Sequence, residues 1–205
     1  MPKIVDWGVR RDEVLTATWR VIAREGFDKA TIRKIATEAG YSSGVLAHYF
    51  ANKQDILASA LLLCHQRVRE RTSRRAQGFA GLDAVRVIMV EALPLDTARD
   101  LEAGIEISFY HQALENPELA RLQNHEIDLA WDELRTRLLE AKRLGQLRRS
   151  LDIEQAVHAL IVLIDGLSVQ RVLYPSLVSP ERQLALLDAL LTSFTSASGD
   201  SDPRS

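Results

Sequence analysis

At 205 residues the chain is long enough to bury a substantial core without a metal or disulfide staple. Its one cysteine, Cys64, makes an intramolecular disulfide impossible and points to a reducing cytoplasm, and the opening residues MPKIVDWGVRRDEV lack the apolar stretch of a signal peptide. The net charge of −2 hides an asymmetry: residues 1–75 hold 14 Lys and Arg against 8 Asp and Glu, a net of +6, which leaves 12 against 20, a net of −8, for residues 76–205.

Strand signals are nearly absent, and helical periodicity recurs along the whole chain, so the expected fold is all-α. Val14, Leu15, Thr18, Val21, Ile22 and Phe27 fall at three- and four-residue steps, an amphipathic helix stopped by Gly26. Thr31 is suited to cap a short second helix and Gly40 to end it. A third helix is expected from Ser42 or Ser43 to Tyr49 or Phe50. Asn52 then caps a long fourth helix running to about Arg75. The glycines between Gln77 and Gly81 mark a joint, after which helices are expected near 82–93, 97–115, 118–144, 152–174 and 181–196. Residues 197–205, rich in Ser and Asp, are expected to be a disordered tail. No uncharged apolar run approaches the roughly 18 residues of a membrane span, so no membrane partner is expected.

The stretches TIRKIATEAG and YSSGVLAHYF fit a helix-turn-helix. Ile32, Ile35 and Ala36 form the inward stripe of its first helix, and Leu46 and Phe50, spaced i, i+4, that of its second. Ser43, Gly44, Ala47, His48 and Tyr49 are left facing outward. These are small or hydrogen-bonding groups suited to a major groove. The arginines Arg67, Arg69, Arg71, Arg74 and Arg75 read either as part of an anion-binding end or as a solvated helix face.

Residues 10–57 resemble the DNA-binding domain of the TetR family of transcriptional regulators. The resemblance rests on G-F-x-x-A-T at Gly26–Thr31, on I-A-x-x-A-G at Ile35–Gly40, and on the S-x-G-x-L-x-x-Y-F-x-N-K-x-x-I-L run at Ser42–Leu57. The L-A-H-Y-F form at Leu46–Phe50 is similar to the BetI-like branch. A departure lies at Ala47, where many members carry Tyr, and it puts in question a contact common elsewhere.

The resemblance implies a three-helix DNA-binding domain at 1–52 and a larger helical effector-binding and dimerisation domain at 53–196. It implies that Thr31 and Arg33 meet the DNA backbone, that Ser42, Ser43, Gly44, Val45, Ala47 and His48 enter the groove, and that Tyr49 and Lys53 hold phosphates. The alternatives are that Tyr49 packs against the first helix, that His48 is merely solvated and that Lys53 is an ordinary surface lysine. The implied partners are double-stranded operator DNA, a second copy of the chain and a small-molecule effector, with no cofactor and no metal.

Phe109–Leu122 and the IDGL at Ile164–Leu167 also resemble the BetI-like regulatory domain. The stretch AVHALIVLIDGL is apolar almost all the way round and must be covered on several sides. The last helix has one stripe at Leu184, Leu187 and Leu191 and another at Leu186 and Leu190, as suits a helix facing both its own core and a second subunit. A twofold interface is expected there, with Leu160, Leu167, Leu187, Leu190 and Leu191 as its candidates; a monomer with a thick core is the alternative. The family implies an effector pocket, for which Glu106, Tyr110, His111, Trp131 and Asp165 are the polar and aromatic candidates. Acid and aromatic types together would suit a cation. Core or solvated roles are the alternatives for each.

An enzyme would need a nucleophile with its base, a phosphate-cradling glycine loop or metal ligands at helical spacing, and no HExxH, GxSxG or Walker-type motif is present. Adjacent on a helix, Cys64 and His65 diverge by about 100° and make a poor catalytic pair. The remaining rival is a helical protein-binding module whose basic end meets an acidic partner.

Overall fold

The computed structural model describes residues 7–195, so the expected disordered tail at 197–205 lies outside the described residues. The described residues are helical throughout with no strand: α1 (Trp7–Glu25), α2 (Ile32–Ala39), α3 (Ser43–Leu46), α4 (Lys53–Ala76), α5 (Gly81–Ala92), α6 (Thr97–Glu115), α7 (Pro117–Arg143), α8 (Ile153–Leu173) and α9 (Pro180–Phe194). The chain divides into two compact units. One takes the chain through Arg67 together with Leu101–Arg121, and the other takes Val68–Asp100 with everything from Leu122.

Most of these helices begin where a short polar side chain can satisfy the first unpaired N–H groups. Thr31 Oγ1 accepts from Lys34 N (3.3 Å), Ser42 Oγ from Val45 N (3.3 Å) and Asn52 Oδ1 from Asp55 N (2.9 Å). Asp96, Asn116, Asp152 and Ser179 cap α6, α7, α8 and α9 in the same way. The expected third helix is shorter than its sequence pattern. Its α-helical residues end at Leu46, after which i→i−3 bonds from His48 N to Val45 O (3.1 Å) and from Tyr49 N to Leu46 O (2.9 Å) tighten the chain into a turn.

In the first unit α1 packs on α2 and α2 on α3. Leu15, Ile22, Ile35, Leu46, Ile56, Leu57 and Leu61 are fully buried there. Trp19 is buried too, and its indole N–H donates to Ala60 O of α4 (2.9 Å). Phe27 meets Phe109 of α6 edge to face, with ring centroids 5.2 Å apart.

In the second unit Val85, Met89, Leu138, Val157, Leu160, Leu167 and Leu187 form a core shared by α5, α7, α8 and α9. With Asp165 and Arg171 in it, α8 is not an uncharged run, yet among the described residues it alone is long and apolar enough to cross a membrane, at a mean hydropathy of 1.6. Ala156, Val157, Leu160 and Leu167 tie one of its faces to this core instead. Its C-terminal end is fixed by Arg171, which forms a bidentate pair with Asp100 (2.9 and 2.8 Å) and also donates to Pro175 O (3.3 Å).

Among the described helix starts, that of α5 has no local side-chain cap, since Ala80 offers none. Glu140 accepts from Gly81 N (3.1 Å) and Gln146 Oε1 from Leu82 N (2.9 Å), so residues from α7 and the loop after it do the capping. Gly81 lies at φ +57°, and a Cβ there would collide with Gln146 Oε1 and come within 3.1 Å of Ala141 Cα. Gly81→Ala is therefore expected to destabilise the protein by about 1–3 kcal/mol, read as a lower denaturation midpoint in urea.

Candidate nucleic-acid interface

The helix-turn-helix is built from a left-handed glycine and two buried anchors. Gly40 at φ 76° donates to Thr37 O (3.2 Å), and Tyr41 N donates to Ala36 O (2.9 Å), which closes α2 and turns the chain toward α3. Leu46 and Phe50 are then buried, at 1% and 4% exposure. The Arg11 guanidinium lies over the Phe50 ring, 5.2 Å from its centroid. With those two side chains pointing inward, Ser42, Ser43, Gly44, Ala47 and His48 are exposed, and Val45 and Tyr49 are half-buried. Tyr49 leans on Phe50, ring centroids 6.4 Å apart. Thr31 and Arg33 are exposed at the start of α2.

Lys53 has an additional role that its position in the sequence does not reveal. Its ammonium donates to Asp28 O (3.3 Å), lies 3.5 Å from Phe27 O, and sits 5.8 Å from the centre of the Phe27 ring. It thus pins the α1–α2 loop to the start of α4. An ammonium has three donors, so one is left to reach outward.

Much of the basic charge of the first 75 residues is spent inside the chain. Arg67 stacks on Trp19 at 4.6 Å and donates to Thr16 Oγ1 (3.0 Å). Arg69 pairs with the buried carboxylate of Glu126, and Arg71 donates to Glu91 O (3.0 Å). Hence the arginine run of α4 serves largely to hold its own neighbours, while Arg74 and Arg75 are exposed. In the first unit Glu38 accepts from Arg20 (2.8 Å) and Arg24 (2.9 Å), and Glu25 accepts from Arg24 (3.1 Å) and Lys34. Both carboxyls are held below the usual carboxylate range, Glu38 by Arg20 and then Arg24, Glu25 by Lys34 and then Arg24. Sequence reading missed this network. An i, i+4 pairing of Lys34 with Glu38 is the signal the sequence offers, and the folded chain instead joins Glu38 to α1.

The effector candidates do not all fall in one unit. Glu106, Tyr110 and His111 belong to the α6 segment of the first unit and Trp131 and Asp165 to the second. Glu106 and Tyr110 are half-buried one turn apart, whereas His111 is exposed. Trp131 meets the His158 ring of α8 at a tilt of 56°, with centroids 5.5 Å apart.

Of the interface candidates, Leu160, Leu167, Leu187 and Leu191 are buried in the second unit's own core, and only Leu190 is partly exposed. Helical phase explains the result: Leu184, Leu187 and Leu191 share the α9 face that also carries buried Gln183 and Phe194, Leu190 packs at the edge of that face, and Leu186, 43% exposed, points away from it. On α8 the outward apolar positions are Val162, Val169 and Leu173, opposite Leu160 and Leu167; Val162 and Leu173 are 56% and 57% exposed.

Residues 14–60 match the family described as bacterial regulatory proteins, tetR family, and residues 82–196 match that described as BetI-type transcriptional repressor, C-terminal. The HTH-type transcriptional regulator PksA of Bacillus subtilis is 30% identical over 189 residues, covering 89% of this chain and 88% of that protein. Among solved structures, a transcriptional regulator from Rhodococcus sp. Rha1 superposes with a TM-score of 0.79 at 27% identity, over 90% of this chain and 95% of that one. A regulator from Saccharomonospora viridis, solved in complex with choline, has the same fold, with a TM-score of 0.85 at 23% identity over 93% of this chain and 100% of that one. The chain therefore belongs to the TetR family of bacterial transcriptional regulators and carries a C-terminal domain of the BetI repressor type.

Proposed function

We propose that this regulator is a ligand-responsive repressor that grips a near-palindromic operator as a twofold dimer. The observation that carries the reading is the surface from Ser42 to Tyr49, which offers only small and hydrogen-bonding groups because Leu46 and Phe50 are drawn inward. Ser42, Ser43, Gly44, Val45, Ala47 and His48 enter the major groove in this reading, with His48 the one side chain long enough to read a base edge. Thr31, Arg33, Tyr49 and Lys53 meet the backbone.

Selection from a random duplex pool tests the proposal. The protein is expected to recover a near-palindromic site whose affinity falls steeply with added salt as counterions are released. Salt-insensitive binding, or no recovered site, overturns it. On the selected site Lys53→Ala is expected to weaken all duplexes alike, and His48→Ala to relax base preference by about 1–3 kcal/mol at one position.

The second copy docks on the outward apolar face of α8 and α9, at Val162, Val169, Leu173 and Leu186, with Leu190 at its edge. A helix with two apolar faces and one core to fill leaves the other exposed, and a twofold partner covers it at both copies at once. Leu186→Asp, on the exposed side of α9, is expected to yield a folded monomer by sedimentation at micromolar concentration. Leu187→Asp, which buries an unpaired carboxylate in the core, is expected to lower the unfolding temperature sharply. A wild-type monomer at that concentration removes the interface.

The effector in this reading is a small organic cation held by Glu106 and Tyr110, an acid and an aromatic one turn apart on α6. The choline-bound relative makes that class a natural first screen. Ligand and operator must oppose each other reciprocally, since only unequal affinity for two states shifts their balance. A cation that raises the unfolding temperature and releases operator DNA is expected to lose both effects in Glu106→Gln. Release that persists in Glu106→Gln and Tyr110→Phe assigns the pocket to other residues.

A further inference from the structure

The two carboxylates of the α1–α2 network stand in the groove where the first turn of α2 is proposed to meet the DNA backbone. Glu25 and Glu38 line one surface groove with Thr31, Arg33 and Lys34. All four of their oxygens are engaged: Glu38 by Arg20 and Arg24, Glu25 by Arg24 and Lys34. The carboxylates are the less exposed members, at 24% and 23% side-chain exposure, and the cations the more exposed, at 44–55%. Arg20, Arg24 and Lys34 are thus held facing solvent with their charge already half spent. Arg33, in the same groove, takes no part in these four pairs and is exposed.

We infer that Glu25 and Glu38 act as internal phosphate substitutes that restrain sequence-independent binding of the α1–α2 surface to the DNA backbone. A carboxylate pair occupies the guanidinium and ammonium donors in the geometry a phosphate would use, and it repels the phosphate that would replace it. Backbone attraction is the part of DNA binding that carries no sequence information. Restraining it leaves the base-reading turn at Ser42–His48 to decide which duplex is held. The ratio of operator to random-duplex affinity then rises even though absolute affinity falls. This role rests on the proposed DNA-binding reading and assigns two specificity-determining residues that make no contact with a base.

The test compares wild type, Glu25→Gln and Glu38→Gln on the selected operator and on a scrambled duplex of equal length, by fluorescence anisotropy across a salt series. Both variants are expected to bind the scrambled duplex at least about threefold tighter at low salt. Their plots of log affinity against log salt should steepen by about 0.9 for each cation released to a phosphate. The gain should be smaller on the operator, so the operator-to-scrambled ratio falls. If the network is only a staple between α1 and α2, the variants melt lower while slope and ratio stay at wild-type values, and that result overturns the inference. Glu25→Gln, which leaves both arginine bonds of Glu38 intact, carries the test if Glu38→Gln fails to fold. Wild-type protein that holds no selected duplex removes the DNA-binding reading itself, whereas wild-type binding with unchanged slopes in the variants removes only the restraint.

Discussion

A helix of four residues has no stability of its own, since the cost of nucleating it exceeds what its few hydrogen bonds return. The α3 turn exists because Leu46 and Phe50 are buried beneath it, Ser42 caps its first turn, and Gly40 supplies the left-handed step that leads into it. Everything outward on that turn is placed by what is inward. Moving Leu46 or Phe50 would move Ser43, Gly44, Ala47 and His48 together. Lys53 and Arg11 reinforce the same geometry from the side. The first bridges the α1–α2 loop to the start of α4; the second covers the Phe50 ring and donates to Ser59 Oγ (2.8 Å). Rigid support of this kind fixes where the small side chains on the outer surface sit.

Charge in this protein is allocated between holding the fold and meeting a partner. Arg67 and Arg69 are committed to Trp19 and Glu126, and Arg171 to Asp100, so counting arginines overstates what a polyanion could meet. Exposed ion pairs contribute little to stability, typically below about 1 kcal/mol each. The Glu25 and Glu38 network is of that exposed kind, and for that reason its energetic weight lies in what it does to an approaching anion rather than in the fold. The bidentate pair of Arg86 with Asp188 (2.7 and 3.1 Å) joins α5 to α9 on an exposed surface and is subject to the same limit.

In the second unit the decisive feature is that α8 and α9 are apolar on two faces. One face closes the core at Leu160, Leu167, Leu187 and Leu191. The other, at Val162, Leu173 and Leu186, would be unfavourable in water if left bare over a contiguous patch. The apolar excess that makes α8 long and greasy enough for a membrane is accounted for by two protein surfaces, its own core and a proposed twin.

Local chemistry made much of this legible from the residues alone. The helix positions, the caps at Thr31 and Asn52, the glycine exit at Gly40 and the inward pair Leu46 and Phe50 follow from periodicity and from the needs of helix ends, which involve neighbours only a few positions apart. The family resemblance could be read from the same short-range pattern. What the sequence left open was every choice between equivalent long-range partners. Two leucine stripes on α9 are indistinguishable in sequence, and only packing against α5 and α8 decided that Leu187 lies inside and Leu186 outside. Glu38 has a lysine four residues before it on its own helix, yet it bonds Arg20 and Arg24 of α1, because helix docking brings guanidinium groups to it from residues far away in the chain. Tertiary structure also shortened α3, which passes into i→i−3 bonds after Leu46 where periodicity alone would have continued the helix.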